Sequence, residues 1–151
     1  PRYANAFVPY DHKPSEATRE NPFDPQWPFG YGLAYSSFNY RALQADKSEM
    51  KPGDTVTVTV QVTNASDLAG KETVELYLSD LVATVTPAVR QLKRFQKIDL
   101  RPRQTQTVRF ELHYDDLAFI GRDNKPVVEP GEFQITVGEL SVLLTVPEPA
   151  K

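Results

Sequence analysis

Residues 55–64 read TVTVTVQVTN, and this run leaves the backbone little choice. Val56, Val58, Val60 and Val62 share one face of a period-two pattern, and threonines with Gln61 share the other. A helix would scatter the four valines around its circumference, whereas a strand gathers them on one side. One buried and one wet face is the signature of an antiparallel sheet. Lys51-Pro52-Gly53-Asp54 places turn chemistry directly before the run.

The same period returns along the chain. Val74, Leu76 and Leu78 alternate with Thr73, Glu75 and Tyr77, and Val108, Phe110 and Leu112 alternate with Arg109 and Glu111. After the turn Glu129-Pro130-Gly131, Phe133, Ile135 and Val137 alternate with Glu132, Gln134 and Thr136. Weaker strand patterns lie around Phe38–Ala45, Leu92–Leu100 and Val142–Val146. Short strands at regular spacing, about seven in all and separated by Pro, Gly, Asn and Asp clusters, predict an all-β antiparallel sandwich of about 100 residues. We place it over residues 37–151. Asp115-Asp116-Leu117-Ala118-Phe119 is the one segment that suggests helix, about one turn of it.

Residues 1–36 follow a different logic. Ten of the sixteen aromatics and six of the thirteen prolines fall in the first forty residues, concentrated in NPFDPQWPFGYGLAYSSFNY at 21–40. Proline cannot donate to a ladder and favours extended or turn backbone, while a disordered tail would be poor in aromatics. The segment is therefore expected to be an extended linker from a preceding domain, with its rings seated on a surface. Fully stretched, it spans on the order of 100 Å. Trp27, Phe29, Tyr31 and Tyr35 are the candidate inter-domain docking residues, and Trp27 and Tyr31 are candidates for stacking on sugar rings.

Composition removes several function classes. A net charge of −3 and a pI near 5.4 offer no basic patch, so no nucleic-acid partner is expected. No apolar run approaches the roughly 20 residues of a membrane-spanning helix, so no membrane partner is expected either. The chain has no cysteine, which excludes disulfides and zinc-thiolate sites, and it has two distant histidines, His12 and His113. No metal site and no cofactor are expected. The start Pro1-Arg2-Tyr3, without methionine or an apolar leader, is that of a piece of a longer polypeptide.

The residues that could carry chemistry have simpler uses. Asp115-Asp116 is the obvious carboxylate pair, but glycoside hydrolysis needs two carboxyls facing each other about 5–9.5 Å apart. Neighbours on a turn diverge, so an Asx-turn or helix N-cap is the expected role. Glu72, Glu75 and Asp80 read as solvated charges. Arg90, Lys93, Arg94 and Lys97 read as an ordinary polar face, with an acidic neighbour as the alternative. His113 lacks the serine elbow that a triad requires. His12, in the lead, reads as a surface or interface contact. Gly30-Tyr31-Gly32 lacks the third glycine and the strand-to-helix switch of a phosphate-binding loop. Asn64-Ala65-Ser66 matches a glycosylation sequon at a turn. No catalytic residue is assigned.

Five segments, in order, resemble the C-terminal fibronectin type III-like domain of glycoside hydrolase family 3, which includes β-glucosidases and β-xylosidases. They are Pro28–Tyr35 (PFGYGLAY), Gly70–Asp80 (GKETVELYLSD), Leu92–Ile98 (LKRFQKI), Asp116–Phe119 (DLAF) and Val127–Phe133 (VVEPGEF), the last followed by Val137-Gly138. Tyr10-Asp11-His12-Lys13-Pro14 is similar to the family's linker. The chain departs from the pattern at Ala34, where serine is usual, and at Arg94 and Arg103, where glycine is usual. Arginine resists a positive φ, so the local bulge or turn is expected to differ at those two sites.

The resemblance implies an immunoglobulin-like sandwich and a non-catalytic accessory role. In that family the nucleophilic aspartate lies on an N-terminal barrel and the acid/base glutamate on the barrel or the second domain. Neither motif has a counterpart here. The implied partners are the catalytic barrel and α/β-sandwich domains of the same polypeptide, with carbohydrate as a further one. The implied parent is a periplasmic or secreted hydrolase of β-glycosides. Two alternatives from other classes are a carbohydrate-binding module built on the surface aromatics and an adhesion-type sandwich that binds proteins.

Overall fold

The computed structural model describes residues 35–82 and 90–148. Among these residues nine strands follow one another: β1 (Phe38–Ala45), β2 (Thr55–Asn64), β3 (Gly70–Asp80), β4 (Gln91–Leu100), β5 (Thr105–His113), β6 (Phe119–Ile120), β7 (Pro126–Val127), β8 (Gly131–Val137) and β9 (Leu140–Val146). Seven of them build two antiparallel sheets, one ordered β1-β2-β5 and the other β4-β3-β8-β9. The two-residue strands β6 and β7 pair with each other. The seven-strand expectation thus describes the sandwich, and the small β6–β7 ribbon is an addition to it.

The core lies between the sheets. Val56, Val58 and Val60 pair across β2–β5 with Leu112, Phe110 and Val108, and all six are buried. The other sheet meets them with Val74, Leu76 and Leu78, with Phe133, Ile135 and Val137, and with Leu144 and Val146. Each such side chain contributes roughly 1.5–3 kcal/mol by leaving water, so the alternation in the sequence is what holds the layers together. Met50, the single methionine, fills the core from the loop before β2. Its backbone N–H donates to Thr145 O at 2.9 Å, which covers part of the free edge of β9.

Two glycines show why the strands meet as they do. Gly138 opens the two-residue β8–β9 turn at φ +59°, and the Tyr40 ring packs against it, 3.1 Å from where a Cβ would stand. Gly70 begins β3 against Ser36, whose Oγ and Cβ lie 2.5 and 2.7 Å from the position of a would-be Cβ. The segment leading into β1 therefore rests on the first residue of β3.

The helical turn is a 3-10 turn at Tyr114–Leu117, with Phe119 already in β6. Its N-cap position is His113, not Asp115 or Asp116. Asp116 sits in the turn and reaches back, its Oδ2 accepting the His113 N–H at 2.8 Å. The sequence suggested capping by this pair, and the structure assigns the backbone contact to Asp116.

Candidate docking surface

Trp27, Phe29 and Tyr31 lie outside the described residues. Tyr35 is described, just before β1, and its ring is fully exposed. The only docking candidate that can be placed thus stands in solvent at the start of the sandwich.

The basic cluster resolves into separate roles through one irregularity. In the β3–β4 ladder Leu76 pairs with Arg94 but Tyr77 pairs with Leu92, so Lys93 is an extra residue, a β-bulge. Ile98 and Leu100 are buried in the core, and Arg94, in step with them, also points inward. There it meets the opposite sheet. Arg94 donates through Nε to Glu111 O at 3.0 Å, through Nη1 to Lys93 O at 2.8 Å and through Nη2 to Asp116 Oδ2 at 2.5 Å. Arg94 is not among the residues with positive φ. Arg94 is thus held by an ion pair across the sandwich. The sequence weighed an acidic partner against an ordinary polar face, and for Arg94 the partner is present.

Arg103 corrects the other expectation. It adopts φ +62° despite its side chain. It follows Pro102 in a turn closed by Gln104 N–H to Arg101 O at 3.1 Å, a type II arrangement that demands positive φ at that position. Its guanidinium reaches Asp67 Oδ1 at 2.8 and 3.0 Å and Ala65 O at 2.6 Å, which offsets the backbone strain.

The other acidic candidates are engaged as well, contrary to a plain solvated face. Glu72 Oε1 accepts the Tyr40 hydroxyl at 2.6 Å, and burial, then that carboxylate, pushes the phenol far above its ordinary range. Glu75 Oε2 accepts the Tyr77 hydroxyl at 2.6 Å. Burial first, then Glu75, pushes the Tyr77 phenol up to about 12, with Arg90 opposing. Asp80 Oδ1 accepts the Val82 N–H at 3.1 Å, while its Oδ2 is shielded and has no hydrogen-bond partner. Burial raises the Asp80 carboxyl above its usual range, with the Glu129 charge adding to it and the Val82 hydrogen bond opposing. Lys93 is lowered, chiefly by burial.

Asn64 is no glycan acceptor in the fold. It is fully buried. Its Nδ2 donates to Leu68 O at 2.7 Å and Leu100 O at 3.1 Å, and its Oδ1 accepts from Ser66 N and Ser66 Oγ at 3.0 and 2.6 Å. His113 Nδ1 lies 3.0 Å from Thr55 Oγ1, a cross-strand contact on the wet face. Among the described residues no group of three His, Cys, Asp or Glu side chains is placed to hold a metal ion.

What the sequence reading passed over is the outer side of β4. Phe95 faces outward opposite Glu75, and the bulge turns Leu92 to the same side opposite Tyr77. Phe95 is 68% exposed and Leu92 47%. Phe95 was detectable from phase alone, since it keeps step with Lys97 and Asp99 and not with Ile98 and Leu100. Leu92 was not, because the extra residue inverts its phase.

Residues 72–141 match the family described as the fibronectin type III-like domain. This sandwich is a fibronectin type III-like domain. The domain's relatives are glycosidases, as the five motifs implied. Over 143 residues the chain is 44% identical to the lysosomal β-glucosidase of Dictyostelium discoideum, covering 87% of this chain and 17% of that protein. Over 117 residues it is 42% identical to a β-xylosidase of Formosa agariphila, covering 78% of this chain and 16% of that one. Among solved structures, a β-glucosidase from Erythrobacter marinus superposes with a TM-score of 0.82 at 34% identity, covering 91% of this chain and 19% of that one. The chain thus spans about a sixth of the curated relatives it matches. The chain matches the fibronectin type III-like domain of family 3 glycoside hydrolases.

Proposed function

We propose that the chain is the non-catalytic C-terminal accessory domain of a family 3 glycoside hydrolase, joined by the linker 1–36 to catalytic domains that it stabilises. One observation carries this reading: the match covers 78–87% of this chain but only 16–17% of the relatives, a β-xylosidase and a β-glucosidase. The parent polypeptide would hydrolyse β-glucosides or related β-glycosides by the retaining, two-carboxylate route. The carboxylates described here have structural uses that fit the reading. Asp116 is held by Arg94 and the His113 N–H, and Glu72 and Glu75 by tyrosine hydroxyls.

Trp27, Phe29, Tyr31 and Tyr35 remain the proposed docking aromatics of the linker. Burying one such ring contributes roughly 1.5–3 kcal/mol. Removing residues 37–151 from the full-length polypeptide should lower its thermal midpoint, and Trp27→Ala should do so to a smaller extent. A midpoint unmoved by the deletion would sink the stabilising role.

A further inference from the structure

The two outer faces of the sandwich are unlike. On the β1-β2-β5 sheet the outward residues are polar and bonded to one another across strands. Thr63 and Thr105 hydroxyls lie 2.7 Å apart, Arg41 Nε donates to Gln61 Oε1 at 3.1 Å, and Arg109 Nη2 donates to Thr57 Oγ1 at 3.2 Å. Such a face is complete in water. On the β4-β3-β8-β9 sheet the outward positions along β4 include Phe95 and Leu92, 68% and 47% exposed. Beside them the Arg90 guanidinium lies over the Tyr77 ring, 4.1 Å from its centroid. Arg90 Nε is shielded from water and has no hydrogen-bond partner.

This patch is a product of the fold, not an accident of composition. In a regular strand, residues three apart point to opposite faces. The extra residue at Lys93 brings Leu92 out beside Phe95, while Arg94 keeps the inward phase of Ile98 and Leu100 and reaches Asp116. Bulges that re-aim a side chain in this way gather at functional positions. An exposed aromatic and a leucine next to an arginine stacked on a tyrosine is the composition of an interface centre.

We infer that this β4 face, centred on Phe95 and Leu92 and rimmed by Arg90 and Lys97, docks the catalytic body of the same polypeptide. The inference rests on the accessory-domain reading above. More than four fifths of each curated relative lies outside the region this chain matches, which supplies an occupant of the required size. Charge complementarity specifies its chemistry. Lys97 stands opposite the uncharged Thr73, so the docked surface presents an apolar ridge flanked by carboxylates or carbonyls. Edge-on pairing with a second copy is opposed by the bulge and by Lys93 and Lys97 on the edge strand β4.

Hydrogen exchange read by mass spectrometry tests this on the full-length polypeptide and on the present chain alone. Peptides from Gln91–Leu100 should exchange about tenfold or more slowly in the full-length form. The pair Leu92→Ser and Phe95→Ser should lower the full-length midpoint by about 2 °C or more and leave that of the chain alone nearly unchanged. If deleting the domain destabilises the polypeptide but neither β4 exchange nor the serine pair has an effect, the docking face is wrong and the accessory role stands. If the deletion itself has no effect, both fall. Loss of retention on an insoluble glucan by the serine pair, with an unchanged midpoint, would overturn docking in favour of a carbohydrate platform. A dimer of the chain alone that the serine pair disperses would overturn it in favour of self-association.

Discussion

Arg94 and Asp116 join the two sheets of the sandwich at 2.5 Å, from a bulge in β4 to the 3-10 turn after β5. Both side chains are largely withdrawn from solvent, with 32% and 20% of their surface exposed. Arg94 also satisfies Glu111 O and Lys93 O, and Asp116 the His113 N–H. The pair is therefore the centre of a small network that fixes the end of β5.

Arg94→Ala and Asp116→Ala should each destabilise the chain by about 1.5–3 kcal/mol, the range for hydrogen bonds to charged groups. Chemical denaturation checks this. The double variant should lose less than the sum, with a coupling above about 0.5 kcal/mol, because each change orphans the same partner.

Asn64 holds the β2–β3 connection from inside. Asn64→Ala leaves Leu68 O and Leu100 O without their donor and should cost about 2–3 kcal/mol. Asn64→Asp, which turns a carboxylate oxygen toward two carbonyls, should cost more. Production of the folded chain in a glycosylating host should give the unmodified mass at this sequon, read by intact mass spectrometry.

Gly70→Ala should destabilise by roughly 1–3 kcal/mol, because the new methyl meets Ser36 at less than contact distance. Adding Ser36→Gly removes both Ser36 atoms that crowd it and should restore part of the loss. A Gly70→Ala chain with an unchanged denaturation midpoint would show that the lead into β1 does not rest on β3.

Asp80 gives a pH dependence with a definite sign. Its carboxyl is raised in the folded state by burial and by Glu129, so the native chain holds this proton more tightly than the unfolded chain. Stability from this group is fully present below the ordinary carboxylate value of 3.8 and is lost as pH rises through the raised folded value. Asp80→Asn should therefore gain on the parent chain between pH 3 and pH 7, with the two midpoints compared at each pH. A gain of the same size at both pH values would refute the assignment.

The alternation of Val56–Val62, Val74–Leu78, Val108–Leu112 and Phe133–Val137 was enough to place four strands and their buried faces, because a period of two has one physical meaning in a two-layer fold. Three features escaped it. The bulge at Lys93 inverts phase, so the outward Leu92 was invisible. Asn64 looked like a surface sequon because a turn was expected there, while its burial depends on Leu100 from a distant strand. Arg103 looked unfit for a positive φ because the compensating Asp67 lies across a turn. The fold was local information, and these details are tertiary.

We propose that the chemistry belongs to domains outside this chain. Turnover of a chromogenic β-glucoside or β-xyloside, measured on the present chain and on the full-length polypeptide, tests it most directly. Hydrolysis by the full-length form and none by the chain alone is the expected result; turnover by the chain alone would contradict the account.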